Sequence, residues 1–369
     1  MAKPAKKRSA GAPKVPPSRS GNPAVRAQPG QAPARKAPAG PSAPRTPRPA
    51  PAADEALEFV PSNGAEYPQI LRNPGYEWWR SLAGAALGLT LFLLLSAVVS
   101  QSIVALAWVA TGGGAPYAAY VSSAFAFQRP AGMLAANLGI ATLIPIAWAL
   151  MAVMHRVRPR WLSSVQPRVR WRYLLACLVV ATLALNGVLL LSVLVGGTVD
   201  FGVQPGFWGF LVVILLTSPL QAAAEEIFFR GYLMQALGSL IAKPWFGVVV
   251  SSVVFALFHG TQNLPLFIDR LVFGLLAALL VWRTGGLEAG IAAHIVNNIF
   301  AYVFAGLTTS IATVRAVRGI GWTDAAFDVG GFALFAALAY LVSRRMQLQT
   351  TVSPGTAGEL QRGAGPGLR

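Results

Sequence analysis

Three short polar motifs stand within strongly apolar stretches of this 369-residue chain. EEIFFR contains two adjacent glutamates and an arginine, FALFH ends in a histidine, and HIVNN contains a histidine and two asparagines. Carboxylates and imidazoles can move protons, and amides can stabilise a developing oxyanion. The candidate functional residues are Glu225, Glu226, Arg230, His259, His294 and Asn298.

The composition around these motifs indicates a membrane protein. Hydrophobic residues make up 54% of the chain and charged residues only 12%, about half the charged fraction of a soluble globular protein. A charged side chain near the bilayer centre costs about 2.5 to 3.5 kcal/mol on insertion scales. The charged motif residues must therefore face protein, water or a countercharge.

Helical spacing separates the roles of the two glutamates. Glu226 and Arg230 are four residues apart and share one helix face, so Glu226 is the expected structural partner of the arginine. Glu225 points about 100° away and has no local countercharge, which makes it the better candidate for a general base. Pro219 predicts a kink just before the site. His155 follows an apolar run and is interpreted as a solvated loop residue.

The apolar runs suffice for about eight transmembrane helices, since a bilayer core of about 30 Å needs roughly 20 apolar residues per helix. The predicted spans are 82–110, 132–154, 173–196, 207–228, 244–258, 266–283, 287–306 and 329–343. The fifth and the eighth are short. The sequence therefore predicts an all-α, polytopic transmembrane helical bundle, in which His259 and His294 are buried.

The chain divides into a membrane domain and two polar tails. Residues 1–55 form a basic tail rich in Pro and Ala, with eleven basic residues before the first acid, Asp54. This tail lacks the apolar bulk that folding requires, so it is predicted to be disordered. A juxtamembrane segment (56–80), the transmembrane domain (81–345) and a flexible tail (346–369) follow. Because no aromatic residues interleave the basic ones, we expect no nucleic-acid partner.

The distribution of basic residues predicts that both termini are cytoplasmic, in a multi-pass protein of the plasma membrane. The loop after the second span is rich in arginine, whereas residues 196–206 contain no basic residue. No signal peptide is evident, so the first span is expected to remain. Cys177 is the only cysteine, which excludes an internal disulfide and a thiolate metal cluster.

In order, the three motifs match the pattern EExxxR, FxxxH and HxxxN, and this region, roughly 207–306, resembles the CPBP (CAAX protease and bacteriocin-processing) intramembrane proteases. The resemblance implies hydrolysis of a peptide bond in or beside the membrane. It implies that Glu225 activates water with His259, while His294 and Asn298 hold the water or stabilise the oxyanion. The substrate would be a membrane-associated protein or peptide, prenylated or not.

The resemblance leaves the metal dependence open, because this family was first described as metal-dependent. No HExxH motif occurs, and a bound zinc would need His259, His294 and either Glu225 or Glu226 as ligands. We favour a metal-independent glutamate mechanism. Two other functions remain as alternatives: a proton-coupled transporter that uses the buried acids and histidines as a relay, and a non-proteolytic scaffold or immunity protein of the same fold.

Overall fold

The computed structural model describes residues 59–196 and 199–354. The predicted tail 1–55 lies outside these residues, and so does most of the tail 346–369. The described residues belong to one compact unit and are almost entirely helical. Among them, β-structure is limited to two isolated bridges. The prediction of an all-α transmembrane bundle is confirmed.

Apart from two short 3₁₀ turns, the described residues form ten helices. In chain order they are α1 (Trp78–Ala110), α2 (Tyr117–Phe125), α3 (Pro130–Met154), α4 (Trp171–Gly196), α5 (Phe207–Gly238), α6 (Pro244–Leu257), α7 (Leu264–Thr284), α8 (Glu288–Thr308), α9 (Ile311–Ala316) and α10 (Trp322–Arg345).

Seven helices of the described chain, rather than the predicted eight, are long and apolar enough to cross a membrane. The exception is α6, whose 14 residues rise only about 21 Å, against a bilayer core of about 30 Å. The predicted eighth span was too short, since α10 has 24 residues. The second error arises because hydropathy marks where apolar residues stop and not where the helix ends.

Helix α5 continues ten residues beyond the predicted end at residue 228. The apolar run is interrupted there by Arg230, but this arginine is fully buried, so the helix continues through it. Residues Glu226–Leu233 form a π-helical segment, a feature that is frequent at functional sites. The helix is also continuous through Pro219, where a kink was predicted.

The helices surround the second half of α5. Helix α3 packs between α1 and α5, α8 packs against α4 and α5, and α7 packs against α6 and α10. The turn between α5 and α6 is tight: a Cβ atom on Gly247 would lie 2.7 Å from the Cα atom of Gly238. Glycine therefore allows the two backbones to touch at this point, as small residues do in membrane bundles.

The first and last described segments lie together at one end of the bundle. The amide of Phe59 donates to the carbonyl of Arg156 (2.9 Å), and the amide of Gly64 donates to the carbonyl of Val352 (2.8 Å). Helix α8 begins at this end and α10 returns to it. The connection 309–321 between them therefore lies at the opposite end. Which compartment holds the chain ends stays a prediction.

Arg170 lies in the arginine-rich loop, yet it is buried and paired with Glu288 at the start of α8. Its Nε donates to Oε1 (2.9 Å) and its Nη2 donates to Oε2 (2.5 Å), so the pair is bidentate. Its Nη1 also donates to the carbonyl of Thr284 (2.6 Å). This loop residue therefore fastens the connection between α7 and α8.

We expect Arg170→Gln to destabilise the protein by about 3 to 5 kcal/mol, because it leaves the buried carboxylate of Glu288 without a cation. The measurement is the apparent Tm of the purified protein in detergent. Arg168→Gln is the matched control, since Arg168 is an exposed arginine of the same loop. Equal Tm values for the two variants would show that the Arg170 pair does not stabilise the bundle.

The interpretation of His155 as a solvated loop residue is wrong. Its side chain is buried, and its Nε2 lies 3.2 Å from the hydroxyl oxygen of Tyr232. Gly84 of α1 leaves room for the Tyr232 hydroxyl, since a Cβ atom there would clash with its oxygen. Hydropathy could not show this, because it detects the end of α3 but not the direction of the following backbone.

The burial of His155 predicts a loss of stability in acid. Burial, and secondarily the charge of Arg80, lower the pKa of His155 to about 4. In the unfolded chain a histidine titrates near pH 6.5, so between these values the unfolded state binds more protons. Stability from this group is complete above about pH 6.5 and decreases as the pH falls toward 4.

We expect wild type to lose about 2 kcal/mol between pH 7 and pH 5 relative to the His155→Gln variant. The measurement is the apparent Tm of both proteins across this range. The other two histidines are present in both proteins, so the difference isolates His155. Parallel pH profiles would contradict the predicted contribution.

Candidate active site

The three motifs come together from three helices around one cavity of about 790 Å³. Helix α5 supplies the two glutamates and the arginine, the turn after α6 supplies His259, and α8 supplies His294 and Asn298. The cavity reaches the surface at the end of the bundle opposite the described chain ends, where exposed arginines line its mouth. The motif residues that line it are Glu225, His259, His294 and Asn298.

Glu226 and Arg230 lie behind the cavity wall and are fully buried. Nη1 of Arg230 donates to Oε1 of Glu226 (2.9 Å). The same carboxylate oxygen lies 2.9 Å from Nδ1 of His294. Because a carboxylate can only accept, this contact assigns a proton to Nδ1 of His294 and orients the ring.

The buried pair is further enclosed by aromatic rings and a glycine. The Arg230 guanidinium lies 3.8 Å from the ring centre of Phe255 and 5.3 Å from that of Phe273. These cation–π contacts offset part of the cost of burying the arginine. On the other side, a Cβ atom on Gly290 would lie 2.7 Å from Oε2 of Glu226, so only glycine fits at that position of α8 without displacing the carboxylate.

Glu225 faces the cavity and is held by amides. Nε2 of Gln221 donates to Oε1 of Glu225 (2.6 Å), and Nδ2 of Asn298 donates to Oε1 of Gln221 (2.8 Å). The other oxygen, Oε2, lies 3.5 Å from Nε2 of His294. Sequence reasoning missed Gln221. Its position four residues before Glu225, in an apolar run, was a signal that could have found it.

His259 projects from the turn that follows α6. Its Nδ1 donates to the carbonyl of Phe255 (2.8 Å), so Nε2 carries a free lone pair. The Phe255 ring centre lies 4.6 Å from that of His259 and 6.2 Å from that of His294, which explains the FxxxH spacing. His259 was predicted to be buried, but it is exposed to the cavity because α6 ends before it.

The described residues include no group of three or more His, Cys, Asp or Glu side chains that could hold a metal ion. His294 directs one nitrogen to each glutamate, and among the described residues His259 forms no ion pair with a carboxylate. The arrangement therefore does not fit the predicted set of His259, His294 and a glutamate. We derive the chemistry of the site from its side chains alone.

Comparison with known proteins identifies the motif region. Residues 207–300 match the family model described as type II CAAX prenyl endopeptidase Rce1-like, which confirms the predicted resemblance. The chain is also 29% identical over 151 residues to an uncharacterized protein, YyaK, of Bacillus subtilis strain 168. That alignment covers 38% of this chain and 50% of the relative, so the chain spans about half the length of the relative. No solved structure matches the chain.

Proposed function

We propose that this multi-pass membrane protein is an endopeptidase that hydrolyses a peptide bond of a membrane-associated protein or peptide. The family match supports a CAAX-type intramembrane protease at the family level. The observation that carries the proposal is the contrast between the adjacent glutamates. Glu226 is neutralised by Arg230, whereas Glu225 faces the cavity without a cation of its own.

In the proposed reaction, Glu225 acts as the general base. Its Oε2 accepts a proton from water, and the water oxygen attacks the carbonyl carbon of the substrate. The C–N bond then breaks and the leaving amine takes up the proton from Glu225. The free lone pair on Nε2 of His259 faces the same cavity and can accept a hydrogen bond from the water.

Two further residues have proposed roles around the reacting carbonyl. Gln221 occupies one donor of Asn298, which leaves its second N–H to stabilise the oxyanion of the tetrahedral intermediate. His294 is fixed through Nδ1 by Glu226, so its Nε2 is directed at Glu225. Glu226 and Arg230 therefore act as positioning residues that hold His294 in place.

Membrane orientation forms part of the proposal. The described chain ends meet at the arginine-rich end of the bundle, and positive residues favour the cytoplasmic side. We therefore place this end in the cytoplasm and the protein in the plasma membrane. The exposed apolar faces of α1 and α4, which include Leu94, Leu106, Leu183 and Leu194, suit contact with lipid.

Cleavage by the purified protein tests the proposed function. The full chain in detergent is incubated with a library of lipid-modified and transmembrane peptides, and the products are identified by mass spectrometry. We expect cleavage at a defined bond that continues in the presence of a chelator. Absence of cleavage across the library would argue against the endopeptidase. Inhibition by the chelator and recovery with zinc would keep the site and replace the metal-independent mechanism.

A further inference from the structure

Three arginines line the same cavity and take no part in the proposed hydrolysis. Arg270 lies in the first turns of α7, and Arg315 and Arg318 come from the connection between α8 and α10. We refer to these three residues as the arginine cluster. Arg315 and Arg318 are exposed at the cavity mouth, and Arg270 is half-buried further inside.

The arginine cluster forms no ion pair with a carboxylate in the described part of the chain. Nη1 of Arg270 donates to Oε1 of Gln262 (3.0 Å), and Nη1 of Arg318 donates to the carbonyl of Val317 (3.2 Å). The Arg315 guanidinium lies 5.5 Å from the ring centre of Phe127. Since a guanidinium has five N–H donors, most of the donors in the cluster remain available to a ligand.

The backbone holds the cluster together at a fixed position. The amide of Asn263, just before α7, donates to the carbonyl of Arg318 (2.8 Å), and its side chain donates to the carbonyl of Ile320 (2.9 Å). Gln262, which contacts Arg270, also donates to the carbonyl of Ala256 (2.8 Å) at the end of α6. The cluster is thereby connected to the turn that carries His259.

The acidic residues of the cavity contact groups other than the guanidinium groups of the arginine cluster. Asp269 and Asp328 line the cavity on α7 and α10, and among the described residues neither forms an ion pair with the arginine cluster. One turn further along each helix, the rings of Phe273 and Phe332 lie 4.7 Å apart, which places the two aspartates opposite each other. Glu225 accepts from Gln221. The described carboxylates of the cavity therefore leave the guanidinium groups of the cluster without a direct ion pair.

We infer that the arginine cluster is a subsite for a carboxylate of the peptide substrate. Arginine binds such groups through paired N–H donors, and the contact is strong where water is scarce. The subsite lies on the cavity that holds Glu225, so an anion bound there would anchor the substrate beside the reacting bond. This position relative to the bond rests on the proposed function, whereas anion binding does not.

Binding, rather than cleavage, provides the test. The full-length Glu225→Gln protein in neutral detergent is titrated with an N-lauroyl hexapeptide of apolar residues, with either a free carboxylate or a carboxamide end. We expect the carboxylate form to bind at least about tenfold more tightly, because only it can accept charge-assisted hydrogen bonds. Arg270→Gln, added to this protein, should remove most of the difference, and Arg318→Gln should reduce it.

Arg129→Gln is the matched control, because Arg129 directly precedes α3, donates to Ser123 and does not line the cavity. The lipid source is tested in parallel by comparing the Tm in nanodiscs of phosphatidylcholine with and without phosphatidylglycerol. A gain with phosphatidylglycerol that Arg270→Gln abolishes would assign the cluster to a lipid phosphate and overturn the peptide subsite. Equal binding of both peptides, with no lipid effect in folded protein, would overturn the subsite. If only the proposed endopeptidase activity is wrong, the wild-type protein will cleave no peptide, but these binding results will be unchanged.

Discussion

Glu225→Gln is expected to reduce cleavage by about 10² to 10⁴-fold while the protein remains folded. An amide cannot accept a proton from water, so the variant lacks the proposed base. The glutamine side chain keeps an oxygen that can accept from Gln221, and it leaves the Glu226–Arg230 pair intact. The measurements are turnover of a confirmed substrate in detergent and the apparent Tm of the same preparation.

Asn298→Ala serves as the comparison for this variant. Loss of one oxyanion donor costs about 10² to 10³ in rate, so this variant should retain residual activity. If the two residues act in one chemical step, the double variant loses less than the product of the single losses. Near wild-type turnover by Glu225→Gln would refute the glutamate mechanism.

The adjacent Glu226→Gln substitution should act on stability instead. It leaves the guanidinium of Arg230 fully buried without a countercharge, a change that costs about 3 to 5 kcal/mol. It also weakens the charge-assisted bond to Nδ1 of His294. We expect a clear decrease in the apparent Tm, together with poor expression.

Glu225→Gln is the matched control for this second prediction, because it makes the same chemical change at the neighbouring residue. Its side chain borders the cavity and can exchange hydrogen bonds with water. The Tm of Glu225→Gln should therefore stay close to that of wild type. Equal destabilisation by the two substitutions would show that the Glu226–Arg230 pair does not contribute more to stability than the contacts of Glu225.

The sequence could predict contacts within one helix. The i, i+4 spacing indicated that Glu226, and not Glu225, lies beside Arg230, and the structure has this pair. Contacts between segments that are distant along the chain produce no such spacing in the sequence. The Arg170–Glu288 pair joins residues 118 positions apart, and the buried contact of His155 with Tyr232 joins residues 77 positions apart. The chemical roles of the motif residues also remain predictions.

Hydropathy also could not predict how deep the candidate catalytic residues Glu225 and His259 lie relative to each other in the membrane. With α5 taken to end at residue 228, Glu225 lies close to one membrane face while His259 lies near the other. In the structure, α5 continues to Gly238 and α6 starts again beside it. Counted from this shared turn, Glu225 and His259 each lie about 20 Å along their helices, so they reach the same level.

The position of the cavity mouth separates substrate traffic from the chain ends. The mouth lies at the connection 309–321, whereas Phe59 and Val352 meet at the other end of the bundle. In a membrane these two ends face different compartments. Whichever compartment contains the chain ends, a peptide that enters the cavity of the proposed endopeptidase through the mouth arrives from the other one. A protein bound near the chain ends would therefore leave the mouth of the cavity open.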